Sequence, residues 1–250
     1  MSILKIIFEY AHIKNNMKKI ISLIALCVFL KVSGQENTSY IEYRLKISDE
    51  EGLFVDNAFL RELFLKAVNN EKKLSFGLII NDYGSKFYFN KETSLDSGNS
   101  MTLSLGGYLG VVYDLDKSIF EQSSLLGDNV YCKTELKDNW VLHNETKMID
   151  NFLCYKATNI NKVVGIDRIF NHPVTAWYCP ALPYRYGPNG YGNLPGLILE
   201  LQVRNVNYAS KSIQLQSELR FDTDFLKKAK ILTTEELEKK LMEFNNFEGK

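Results

Sequence analysis

Alternation of apolar and polar side chains dominates the chain. Residues 40–48 (YIEYRLKIS) set Ile41, Tyr43, Leu45 and Ile47 against Glu42, Arg44 and Lys46. That is the period-two pattern of a strand with one dry and one wet face. Residues 74–81 and 86–90 flank Asp82-Tyr83-Gly84-Ser85, which reads as a hairpin turn. Further strands are predicted over 108–115, 129–136, 140–149, 152–160, 174–179, 197–206 and 210–221. Short turn signals such as Lys137-Asp138-Asn139 and Asp150-Asn151 separate most of them, and consecutive short connections favour an antiparallel meander.

Two segments depart from period two. Residues 57–70 carry Leu60, Leu63, Phe64, Ala67 and Val68 at helical spacing, with Asp56 as the expected N-cap. Thr233-Thr234-Glu235-Glu236 forms a capping box, which predicts a charged helix through about Phe244 and a fraying tail over 245–250. The polar stretch 91–107 predicts a mobile loop, with an edge strand through 101–105 as the alternative. The expected class is mainly β (α+β): one long twisted antiparallel sheet or half-barrel, with one or two helices packed on it.

The N-terminal region breaks from this scheme. A basic patch at Met17-Lys18-Lys19 precedes an uncharged apolar run over 20–30 and then Val32-Ser33-Gly34. This order is that of a secretory signal peptide over 17–34, cleaved before Gln35. The apolar run falls short of the roughly 20 residues of a stable membrane span. Residues 1–16 read as an extension from a mis-assigned start at Met1, the body of the protein being a single domain over 35–250. Leu26 precedes Cys27 where a lipoprotein signal needs a small residue, so no lipid anchor is expected. Removing residues 1–34 takes five lysines and one glutamate from thirty of each sign. The remainder carries 25 basic and 29 acidic residues, net −4. Nothing in this balance points to nucleic acid.

All five prolines lie between residues 173 and 195, accompanied by Gly187, Gly190, Gly192 and Gly196 and by Trp177, Tyr184, Tyr186 and Tyr191. Residues 180–196 therefore predict a rigid aromatic loop rather than regular sheet. It ends in Asn193-Leu194-Pro195-Gly196-Leu197-Ile198, where Pro then Gly fits positions i+1 and i+2 of a type II turn. This stretch resembles the signature of the GLPGLI family, secreted proteins of Gram-negative bacteria named after that motif. Trp140, Glu145-Thr146-Lys147, Cys154-Tyr155-Lys156-Ala157-Thr158, Thr175-Ala176-Trp177 and Gly187-Pro188 fall in the family's order, so the resemblance covers about residues 140–201. Asn193 stands where the family has glycine; asparagine is the next most tolerant residue of left-handed backbone. The resemblance implies export and a shared β-rich fold. The family carries no established activity, so it supplies no catalytic residues.

Three cysteines remain beyond the leader. If 152–160 pairs with 174–179 about a turn centred between Ile166 and Asp167, Cys154 faces Cys179 within bridging range. Cys132 would lie two strands from Cys154, about 9.6 Å away and out of disulfide reach. The expectation is a Cys154–Cys179 bond if any forms, with three reduced cysteines as the alternative. The same parity sets Cys132 across from His143, a pairing that nucleophilic catalysis could use. No zinc, calcium or phosphate-loop motif is present, and no metal or cofactor is expected. The functional expectation is an exported cell-envelope protein of unknown activity, a binding or structural module rather than an enzyme. It would use Trp177, Tyr184, Tyr186 and Tyr191 or the concave sheet face. Its expected partner is a glycan, a peptide, an apolar ligand or an outer-envelope protein. The alternative is an exported hydrolase built on Cys132 and His143.

Overall fold

Period-two patterning becomes one continuous twelve-stranded sheet. The computed structural model describes residues 38–49, 53–90, 97–123, 125–164 and 168–248. The predicted leader, the extension 1–16 and the cleavage point before Gln35 lie outside these residues. Strand β1 (Ser39–Ile47) leads to helix α1 (Ala58–Asn70), then β2 (Ser75–Asn81) and β3 (Gly84–Phe89). Helix α2 (Ser97–Leu105) follows, then β4 (Val112–Leu115), β5 (Ser118–Gln122) and β6 (Val130–Glu135). The second half supplies β7 (Val141–Ile149), β8 (Phe152–Val164), β9 (Ile169–Cys179), β10 (Leu197–Val203) and β11 (Val206–Gln214). Strand β12 (Lys230–Leu232) and helix α3 (Thr234–Glu248) complete the chain.

The order across the sheet is β12-β6-β5-β4-β3-β2-β1-β11-β10-β9-β8-β7. Two antiparallel meanders, β1 to β6 and β7 to β11, meet where β1 pairs with β11. Among the described residues, only β12 runs parallel to its neighbour, β6. The sequence suggested that the turn after β6 would pair it with β7. Instead β6 pairs with β5 and β12, and β7 forms the far edge. Residues 136–140 must still join them, and so short a connection reaches about 20 Å at most. Ten strand spacings of about 4.8 Å would separate β6 from β7 in a flat sheet, some 48 Å. The sheet therefore curls until its ends approach, yet it does not close.

The inner face of the curl holds the main core. The predicted inward set Ile41, Tyr43, Leu45 and Ile47 is buried throughout. Tyr43 donates its hydroxyl to the Ile198 carbonyl across the interior, 2.6 Å away. Phe76 stacks on Phe87 and meets Tyr208 edge-on, the offset and T-shaped geometries that aromatic quadrupoles favour. Helix α1 buries Phe64 and Ala67 against this core, and Thr102 of α2 donates to the Ala67 carbonyl at 3.1 Å. A second, smaller cluster sits on the opposite face, where Phe221 and Phe225 cover Tyr113 and Tyr131.

Several local expectations change. Residues 97–105 are helical rather than loop or strand. Asn57 caps α1 in place of Asp56, its side chain accepting from the Leu60 amide. The capping box forms, with Thr233 N–H donating to Glu236 and Glu236 N–H to Thr233 Oγ1, but α3 continues to Glu248 past the expected end. Strand β11 ends at Gln214, not 221, because the following segment leaves the sheet to cover the outer aromatic cluster.

Candidate functional site

The aromatic loop is a wall inside the curl. Arg185 holds the buried carboxylate of Asp114 on β4 through two hydrogen bonds, 2.8 and 3.3 Å long. Burial pushes the Asp114 carboxyl up and the guanidinium opposes this. The Tyr184 hydroxyl accepts from Ser39 Oγ at 3.0 Å. Backbone bonds from Leu197 to Leu182 and from Ile198 to Tyr186 stitch the loop to the start of β10. Across the gap, the Trp140 indole donates to the Gly192 carbonyl at 2.9 Å, which ties the β6–β7 connection to the same wall.

The motif turn differs from the expected type II geometry. Asn193 adopts the left-handed conformation (φ 62°) that its side chain tolerates. Gly196 N–H bonds the Leu194 carbonyl across Pro195, two residues back, and Gly196 has φ 154°. A Cβ here would lie 2.2 Å from the Cys179 carbonyl oxygen. Glycine is thus demanded by close approach of two chain segments as much as by dihedral angle.

The loop, the tip of α2, the β6–β7 connection and strands β5 and β8–β11 enclose a cleft of about 400 Å³. Glu121 of β5, Lys137, Asn189, Tyr191 and His172 line it. Burial raises the Glu121 carboxyl, while the charge of Lys137 opposes that shift. Burial likewise draws the Lys137 ammonium down to about 8, with Glu121 acting in the opposite sense. Lys137 still presents much of its surface to water in the open cleft, so solvent moderates this desolvation. Among the described residues neither group has an ion-pair partner. The ammonium instead sits 3.7 Å from the centre of the Tyr191 ring. Asn189 donates its amide N–H to the Gly107 carbonyl at 2.8 Å. That bond fixes the amide orientation and leaves Oδ1 buried without a partner.

The residues singled out from the sequence do not share one surface. Tyr191 is 4% exposed and packs its ring against Trp140. Tyr184 and Tyr186 are half-buried against the core. Trp177 faces the other side of the sheet, beneath the Lys147 ammonium (4.5 Å), which also pairs with Glu200 at 2.7 Å. Leu194, Leu197 and Ile198 are buried core residues.

Cys132 and His143 are not brought together. Cys132 stands opposite Glu121 on β5 and Leu232 on β12, and His143 bonds Thr158 Oγ1 at 2.8 Å. Burial raises the Cys132 thiol, the reverse of what a thiolate nucleophile needs. The β8–β9 hairpin adopts the expected register, Tyr155 opposite Tyr178 and Val164 opposite Ile169. Cys154 and Cys179 occupy the next rung, and both are free thiols. Sequence reasoning passed over Glu121, Lys137 and Asn189, which stand in unremarkable contexts and meet only through the curl. Among the described residues, no group of three or more His, Cys, Asp or Glu could hold a metal ion. No described helix is long and apolar enough to cross a membrane.

A family described as a protein of unknown function (Porph_ging) matches residues 166–200, the stretch containing β9, the aromatic loop and the Asn193–Ile198 motif. No curated protein matches the chain. Among solved structures, PNGF-II in its P21 crystal form is similar at 15% identity and a TM-score of 0.49, covering 81% of this chain and 32% of that one. The C2 form gives 17% identity, a TM-score of 0.49, and 82% and 32% coverage. The chain thus spans about a third of the length of PNGF-II.

Proposed function

We propose that this is an exported binding protein that takes a small, hydroxyl-rich ligand, a saccharide unit, into the cleft. The leader at 17–34 is removed before Gln35, and the body works in the cell envelope as a GLPGLI-type domain. One observation carries the binding reading: the buried, unpartnered Oδ1 of Asn189 in the wall that also carries Glu121 and Lys137. A buried acceptor without a donor costs free energy, which a ligand donor recovers. A hydroxyl donates to Asn189 or Glu121 while accepting from Lys137, so a polyol satisfies the set with one kind of group. The volume lies within the usual range for small-molecule sites. These polar groups disfavour the apolar chain that a concave sheet face first suggested.

Calorimetric titration with a panel of mono- and oligosaccharides tests this directly. Binding that Asn189→Ala and Lys137→Met each weaken by about tenfold, roughly 1.4 kcal/mol, is the expected result. A panel that yields no heat, with nothing retained on natively purified protein by mass spectrometry, removes the reading. The hydrolase alternative shifts from Cys132 and His143 to Glu121 and Lys137, whose opposed perturbations face one cleft. Saccharide turnover abolished by Glu121→Gln would establish it.

A further inference from the structure

Cys154 and Cys179 are set to become a disulfide. The β8–β9 ladder keeps one register from Val164–Ile169 to Tyr155–Tyr178, and the next rung outward pairs these two cysteines. Directly opposed residues in an antiparallel pair have Cα atoms about 4.5–5.5 Å apart, inside the 4.4–6.8 Å window of disulfides. Both residues are 0% exposed. Neither strand is an edge at this rung: Lys147 of β7 flanks Cys154 and Leu197 of β10 flanks Cys179. In this structure the thiols are reduced. Cys154 Sγ donates to the Phe152 carbonyl at 3.6 Å, and the neighbouring Cys179 thiol perturbs it electrostatically.

We propose that Cys154 and Cys179 form a cross-strand disulfide during oxidative folding, while Cys132 stays a free thiol. The oxidant is a disulfide-bearing thiol exchanger, such as oxidised glutathione in vitro or a dithiol oxidase in the envelope. One cysteine thiolate attacks the oxidant's disulfide, forming a mixed disulfide and expelling one oxidant thiolate. The second cysteine thiolate then attacks the protein sulfur of that mixed disulfide. The Cys154–Cys179 bond forms and the second oxidant thiolate leaves. Two electrons pass to the oxidant, and the two cysteine protons end on its thiols.

Timing follows from burial. In the folded chain, burial first and the neighbouring Cys179 second push the Cys154 thiol up to about 12, and no solvent reaches either sulfur. Exchange therefore precedes docking of β7 and β10 on the hairpin, or waits for local opening. The bond lies at the root of the aromatic wall. Cys179 is the last residue of β9, its carbonyl accepts from the Leu182 amide at 3.1 Å, and Gly196 crosses against it. Oxidation would fix where the loop leaves the sheet, whatever the cleft binds.

The test is refolding of the reduced, denatured full chain in a glutathione redox buffer. Free thiols are then alkylated, and a non-reducing digest is read by mass spectrometry. The expected product is a linked 154–179 peptide with Cys132 alkylated. For a closed loop of about 25 residues, the oxidised form should melt on the order of 10 °C above the reduced one. Cys132→Ser should keep both properties and Cys154→Ser should lose both. Should Cys154→Ser not fold, the wild-type chain with and without reductant gives the same comparison. Alkylation of both Cys154 and Cys179 after refolding, or a link from either to Cys132, overturns the proposal. So does the linked peptide without a rise in melting temperature above the reduced protein.

Discussion

Replacing Gly196 with alanine tests how the motif holds the aromatic wall. The new Cβ would stand 2.2 Å from the Cys179 carbonyl oxygen and 2.4 Å from its carbon. Both are backbone atoms and cannot swing aside. A side chain at φ 154° is itself strained by about 1–3 kcal/mol. Relieving the clash displaces Cys179 from its pairing with Leu197 and weakens the Leu182 amide bond to its carbonyl, each worth about 1 kcal/mol. The sum is a loss of about 3–5 kcal/mol, a large part of an ordinary domain's stability. For a domain of this size the melting temperature should fall by roughly 6–20 °C. The assay is denaturant unfolding followed by near-ultraviolet circular dichroism, which reports the buried aromatics. Gly107→Ala is the control, because Gly107 also has positive φ (73°) but meets nothing within 4 Å. It should cost about 1 kcal/mol. Equal losses in the two variants would refute the close-approach argument.

Other substitutions probe the wall and the cleft. Arg185→Ala strands the Asp114 carboxylate and should cost about 2–3 kcal/mol at pH 7 by denaturant titration. Because the folded Asp114 pKa is raised, that deficit should shrink as the pH falls toward the carboxyl's unfolded value and the group protonates. Lys137 has a folded pKa of about 8 against an ordinary 10.5. Between these values the unfolded chain binds more protons, so stability attributable to Lys137 should rise with pH, and Lys137→Met should flatten that part of the profile. Asn193→Gly should change stability by no more than about 0.5 kcal/mol, whereas Asn193→Val should lose about 1–2 kcal/mol, since a β-branched residue resists φ near 60°. Thermal melts of the two Asn193 variants would separate these outcomes.

Much of the fold was legible because its information is local. Period-two alternation located β1, whose inward side chains alternate with more exposed ones, and the turn signal at 82–85 located β2 and β3 on either side of it. Parity about a short turn gave the β8–β9 register and hence the Cys154–Cys179 rung. The helix over 57–70 and the capping box at Thr233–Glu236 followed from spacing and side-chain chemistry. Where local signals misled, a tertiary contact had prevailed. Residues 97–105 lack a strong amphipathic pattern, yet fold as a helix whose Thr102 bonds α1. The turn after Glu135 looked like a hairpin until β12, almost a hundred residues later, took the edge of β6.

Sequence alone determined the strand-rich class, the inward set along β1 and the absence of regular strand over 180–196. These depend on side-chain periodicity and backbone dihedral preference, which neighbouring residues suffice to define. Only the tertiary structure decided that β1 would meet β11, that the sheet would curl without closing, and that the aromatic loop would serve as an internal wall. It alone joined Glu121 of β5, Lys137 of the connection and Asn189 of the loop around one cleft. Their perturbed protonation and the orphaned amide oxygen come from desolvation by distant segments, and no local pattern in the chain encodes which segments those will be.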